Sequence, residues 1–125
     1  MEQKFIINFM YDREKYQIVI DYFVYILNNN FLLALTYFSQ NTGYSYDYTG
    51  INFAYDEESK KLIVLFYDFD YEIYIDVTVF INVLKLASEV YIEYNPNYKE
   101  EVFKLFEQTC KNLISVKWGI YEKNW

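Results

Sequence analysis

The chain has 125 residues, 54% of them hydrophobic, which suits one sizeable core and leads us to expect a single domain over residues 1–125. It holds no histidine, one cysteine (Cys110), one arginine (Arg13), three glycines and one proline (Pro96), which excludes Ser-His-Asp and Cys-His nucleophiles, an intrachain disulfide and a Cys/His zinc site. The formal net charge of −7 is uneven: residues 41–80 carry eight acids against Lys60 and Lys61, while residues 1–40 sum to −1 and residues 81–125 to 0.

In chain order, Lys4 to Met10 (KFIINFM) is apolar but short, broken by Asn8 and followed at once by charge. It is neither a secretory h-region nor a membrane span, so a cytoplasmic location is expected. From Arg13 to Asn28, the residues Tyr16, Val19, Ile20, Phe23, Ile26 and Leu27 recur at helical spacing, with Gln17, Asp21 and Asn28 opposite. The run Asn28-Asn29-Asn30 stops that helix, and Asn30 is placed to cap a second, very apolar one from Phe31 to Phe38. A loop from Ser39 to Gly50 follows, with two of the three glycines and a cluster of tyrosines.

Three strands are expected next. In Ile51 to Asp56, Ile51, Phe53 and Tyr55 alternate with Asn52, Ala54 and Asp56. Lys61 to Tyr67 is apolar on both faces and should lie centrally. Tyr71 to Ile75 should point Tyr71, Ile73 and Ile75 inward, with Glu72 and Tyr74 outward. Short connections imply an antiparallel meander. Asp76 or Thr78 can cap a third helix to about Tyr94, with Phe80, Leu84, Ala87, Tyr91 and Tyr94 inward. Asn95-Pro96 ends it and begins a fourth helix to about Leu113, amphipathic through Val102, Phe106, Thr109 and Leu113, with Asn97 and Glu100 as a second capping pair. The tail Ile114 to Trp125 fits a last strand or a packed extension equally. The fold class is α+β: an antiparallel meander of three to four strands in the middle of the chain, flanked by N-terminal and C-terminal helices.

Chemistry has to be sought among carboxylates, tyrosines, lysines and hydroxyls. Asp68 with Asp70, or Glu57 with Glu58, could be offered as a carboxylate pair of the glycosidase sort, but both sit in turns, where acids are ordinarily solvated. Asp68-Phe69-Asp70 lacks the further ligands and the glycine of a calcium loop, and no phosphate-binding glycine motif occurs. We therefore expect no catalytic residues, no metal, no cofactor and no enzymatic activity. Cys110 reads as a small buried apolar residue in a reducing compartment. The sixteen tyrosines have two sources. Ten lysines against one arginine, thirteen isoleucines and eleven asparagines reflect an AT-rich genome, and tyrosine is also a residue that interfaces favour.

The strings Asn41-Thr42-Gly43 and Tyr46-Asp47-Tyr48-Thr49-Gly50-Ile51-Asn52-Phe53 are followed by a hairpin ending Tyr71-Glu72-Ile73-Tyr74-Ile75. Then comes a helix from Phe80 to Tyr91-Ile92-Glu93-Tyr94-Asn95-Pro96. Over roughly residues 16–110 this resembles the ribonuclease-toxin immunity proteins of bacterial contact-dependent growth inhibition systems (CdiI type). The resemblance implies a small non-enzymatic cytoplasmic protein that binds and neutralises one cognate toxin domain, usually a nuclease. It carries over no binding residues, because partner surfaces differ between members.

Charge supports the same direction independently. An acidic surface repels phosphate backbones and attracts a basic cleft, so nucleic acid is disfavoured as a partner and a basic nuclease favoured, with no role for a membrane. Successive meander turns emerge at opposite ends of a sheet. The loop entering the first strand should therefore lie beside the turn that leaves the second. We expect the partner-binding residues there: Tyr44, Tyr46, Asp47, Tyr48, Asp68, Asp70 and Glu72, with Glu57 and Glu58 as a secondary candidate at the other end. Two other readings stay open, a housekeeping interaction domain with a merely solvated acidic surface and a small-ligand-binding module using exposed tyrosines.

Overall fold

A computed structural model describes residues 14–115. The expected helix start at Arg13, the segment Lys4 to Met10, and residues 116–125 of the undecided tail lie outside the described residues. The elements, in order, are α1 (Gln17–Asn29), α2 (Phe31–Phe38), β1 (Ser45–Tyr46), β2 (Thr49–Asp56), β3 (Lys61–Asp68), β4 (Tyr71–Asp76), α3 (Val77–Tyr94), a 3-10 turn (Pro96–Tyr98) and α4 (Lys99–Ser115).

α1 buries Val19, Ile20, Tyr22, Phe23 and Ile26, and α2 buries Phe31, Ala34, Leu35 and Phe38 at i, i+3, i+4 and i+7. The chain breaks between them at Asn30, whose φ of −141° and ψ of 46° are non-helical, and the two axes meet at 116°. Asn30 holds the cap position but makes no side-chain cap bond. Its amide donates instead to the Tyr44 hydroxyl at 3.1 Å, because the tyrosine comes within reach across the bend. Asn28 and Asn29 each donate back to a carbonyl of α1, at 2.9 Å to Val24 and Tyr25 respectively. No single helix among the described residues is long and apolar enough to cross a membrane, and α1 and α2 together reach that length only across their bend.

The four strands are antiparallel in the order β1-β2-β3-β4. β1 is an addition to the expected meander: Ser45 and Tyr46 pair with Gly50 and Thr49, so the supposed loop closes a small hairpin. Gly43 is required just before it. A Cβ there would stand 1.8 Å from the Ile51 carbonyl oxygen, because the incoming chain runs directly against the backbone of β2. β3 is central as expected, with Leu62, Val64 and Phe66 buried and Ile63, Leu65 and Tyr67 half-buried on the other face. Register places Val64 between Phe53 and Ile75, and Phe66 between Ile51 and Ile73.

Helices cover the face carrying those residues. Phe80 of α3 is fully buried among the rings of Phe53, Phe38, Phe23 and Phe66, at centroid distances of 5.4, 5.5, 6.1 and 6.3 Å. Two expected inward residues are exposed instead. Tyr71 shares the core face of β4 with Ile73 and Ile75, but it stands at the hairpin end, where that face borders an open cleft beside the start of α1. Tyr94 occupies the last turn of α3, whose eighteen residues outrun the core; the buried stripe of that helix runs through Phe80, Leu84 and Ala87 as expected, together with Val83, Ser88 and Val90.

The fourth helix begins at Lys99, not at Pro96. The proline opens a 3-10 turn that takes in Asn97, so Asn97 and Glu100 do not form a capping pair. Of the expected α4 stripe, Val102, Thr109 and Leu113 are buried and Phe106 half-buried. Asn112 of α4 donates a hydrogen bond to the Ser39 carbonyl at the end of α2, tying the two helical parts together.

Candidate functional site

Two tight turns meet at one end of the sheet. Tyr46 pairs with Thr49 around Asp47-Tyr48, and Asp68 pairs with Tyr71 around Phe69-Asp70, so both are two-residue hairpin loops. Each has a left-handed residue at its first central position, Asp47 with φ 51° and Phe69 with φ 55°. That position favours glycine in hairpins with one positive φ. Aspartate adopts such a backbone readily; for phenylalanine it is an outlier. The turns are joined by a backbone bond from the Phe69 N–H to the Tyr48 carbonyl at 3.0 Å, and by the Thr49 hydroxyl donating to Asp68 Oδ1 at 2.7 Å.

This clasp brings Asp47, Tyr48, Asp68, Asp70 and Glu72 to one tip. Tyr48 is 69% exposed, Phe69 71% and Tyr71 79%, and the Tyr48 and Phe69 rings lie 5.2 Å apart. Tyr44 is separated from the others: it is 8% exposed, accepts from Asn30 and packs edge-on against Tyr37, so it belongs to the scaffold. Its carbonyl accepts from the buried Tyr22 hydroxyl at 2.6 Å. Tyr46 is half-buried and stacks on Tyr25 at 3.8 Å. Glu57 and Glu58 sit in the turn at the opposite end, about 25 Å away along eight-residue strands. There Asp56 accepts from the Ser59 hydroxyl at 2.6 Å, a bond that lowers its pKa.

Sequence reasoning missed Phe69, Tyr71 and Asp21. Phe69 offered one signal, a large apolar residue between two aspartates in a turn. Asp21 of α1 belongs to the same electrostatic neighbourhood. The Tyr46 hydroxyl is held far above its ordinary pKa first by burial, then by Tyr25, and then by the carboxylates of Asp68, Asp21 and Asp47. Glu14, Asp21, Asp68, Tyr71 and Glu72 also line a cleft of about 270 Å³ beside the tip.

The buried hydroxyls make alkaline pH a direct probe of this region. Burial, followed by Tyr46 and Tyr44, raises the Tyr22 pKa, so the fold favours the neutral form of both Tyr22 and Tyr46. Their contribution to stability is complete below the unfolded tyrosine pKa of about 10 and is lost as pH rises beyond it. Absorbance titration at a phenolate wavelength should show a group of tyrosines ionising only as circular dichroism reports unfolding. Ionisation of all sixteen near pH 10 in a folded chain would contradict the burial described.

No group of three or more metal-ligating side chains converges among the described residues. Cys110 lies half-buried on α4, and burial together with Glu107 pushes its thiol pKa up, opposite to the tuning of an activated nucleophile.

Comparison with curated proteins and with solved structures finds no match. The family model described as CDI immunity protein matches residues 14–106. That span takes in α1, α2, the whole sheet, α3 and the first half of α4, and so includes every residue of the clasped tip. The chain therefore belongs to the CDI immunity protein family, whose members neutralise a toxin.

Proposed function

We propose that this immunity protein neutralises a nuclease toxin domain, ribonucleolytic in chemistry, by presenting the clasped tip to the basic cleft in which the nuclease holds phosphates. The observation that carries this reading is the meeting of Asp47, Asp68, Asp70 and Glu72 with exposed tyrosine at one end of the sheet. Carboxylates spaced on a rigid tip substitute for phosphates and steer the encounter, while aromatic area supplies affinity that charge alone does not. Tyr46 and the buried Tyr44 support the tip from behind. Glu57 and Glu58 extend the acidic field at the far end without joining the contact. The protein acts in the cytoplasm and turns over no substrate of its own.

Association kinetics with the purified toxin domain test the reading. The rate should fall steeply from low to high salt, because steering acts through a field screened over about 8 Å at physiological ionic strength. A rate that is flat across that range would reduce the acidity to a solubility feature.

A further inference from the structure

We infer that Phe69, flanked by Tyr48, is a wedge that stacks on an arginine guanidinium of the toxin's basic cleft. The inference rests on the reading of the tip as the toxin interface and adds the chemistry of the contact. Phe69 occupies a backbone position suited to glycine, with φ 55°, yet its ring is 71% exposed. Folding alone explains neither property: the left-handed backbone is unfavourable for a bulky residue, and the exposed ring removes little apolar area from water. Outliers of this kind collect where function needs a side chain held in a set direction.

The tip holds that direction through three features. The Phe69 N–H is bonded to the Tyr48 carbonyl, the Tyr48 ring lies against the Phe69 ring, and the Thr49–Asp68 bond fixes the strand ends beneath them. Asp47 precedes Tyr48 and Asp70 follows Phe69, so the aromatic pair is bracketed by carboxylates in sequence. This combination fits guanidinium better than ammonium. A planar guanidinium stacks on a ring face and keeps its fork of N–H donors for neighbouring carboxylates, whereas an ammonium is compact and strongly hydrated.

Calorimetric titration of the purified cognate toxin domain with Phe69→Gly, Phe69→Leu and Phe69→Tyr tests the wedge. Glycine and leucine should each weaken the complex at least tenfold, and tyrosine should keep affinity within threefold of the parent. The free Phe69→Gly protein should melt no lower than the parent, since glycine relieves the backbone. Leucine binding as well as phenylalanine would mean an apolar socket and would overturn the inference. So would unchanged affinity for glycine, or a lowered melting temperature that makes Phe69 a structural anchor. Asp47→Asn with Asp70→Asn separates the two levels. If the acids matter and the ring does not, only the wedge falls; if neither matters, the reading of the tip falls with it.

Discussion

Reversing Asp47 and Asp70 to lysine is expected to weaken the toxin complex by about 2–5 kcal/mol while leaving the free protein folded, the loss being that of placing like charges against a basic cleft. These two acids are the right pair because both are exposed and neither accepts a hydrogen bond that joins elements of the tip. Asp68 would be a poor choice, since it holds Thr49 and its loss would disturb the clasp. Exposed turn charges contribute only about 0–1 kcal/mol to stability. Lysine occurs at a positive φ elsewhere in this chain, at Lys60 with φ 56° in the β2–β3 turn. Unchanged affinity in the double variant, with circular dichroism confirming the fold, would move the interface off the tip.

The largest effect on stability is expected at Phe80. Truncation to alanine removes a fully buried ring that touches four other rings from α1, α2, β2 and β3. Transfer and cavity terms together predict a loss of about 3–5 kcal/mol. That is a large part of the 5–15 kcal/mol typical of a domain. Urea denaturation should show a lowered midpoint with a similar slope. A loss below about 1 kcal/mol would mean that the surrounding rings close over the cavity, contrary to the packing described.

Much of this architecture is legible in the sequence because burial leaves periodic traces. Leu62 to Tyr67 is apolar on both faces and lies between two strands, while Val19, Ile20, Phe23 and Ile26 repeat on a helical face. β1 escaped because two residues, Ser45 and Tyr46, are too short to show any period, and only their pairing with Thr49 and Gly50 makes them a strand. The site divides in the same way. Meander geometry suffices to bring Asp47 beside Asp68 and Asp70. Whether a tyrosine on that path faces in or out depends on what packs behind it. Tyr44 is covered because the bend between α1 and α2 brings Asn30 to its hydroxyl and Tyr22 to its carbonyl. Tyr71 is uncovered because α1 leaves a cleft beside it. Neither neighbour is adjacent in sequence, so neither outcome has a local signature.

Every strand pairs only with its neighbour in sequence, and all four strands are joined in succession by turns of two, four and two residues. The sheet therefore closes through small loops, and the entropy that slows β-proteins built on distant pairings is modest here. The long closure falls instead on the union of α2 with α4, where Asn112 reaches Ser39 across 73 residues. The contacts that build the acidic tip, such as Thr49 with Asp68, span about twenty residues, fewer than the helix dockings that join Phe23 to Phe80 and Ser39 to Asn112. The tip does not have to wait for the C-terminal helix to dock.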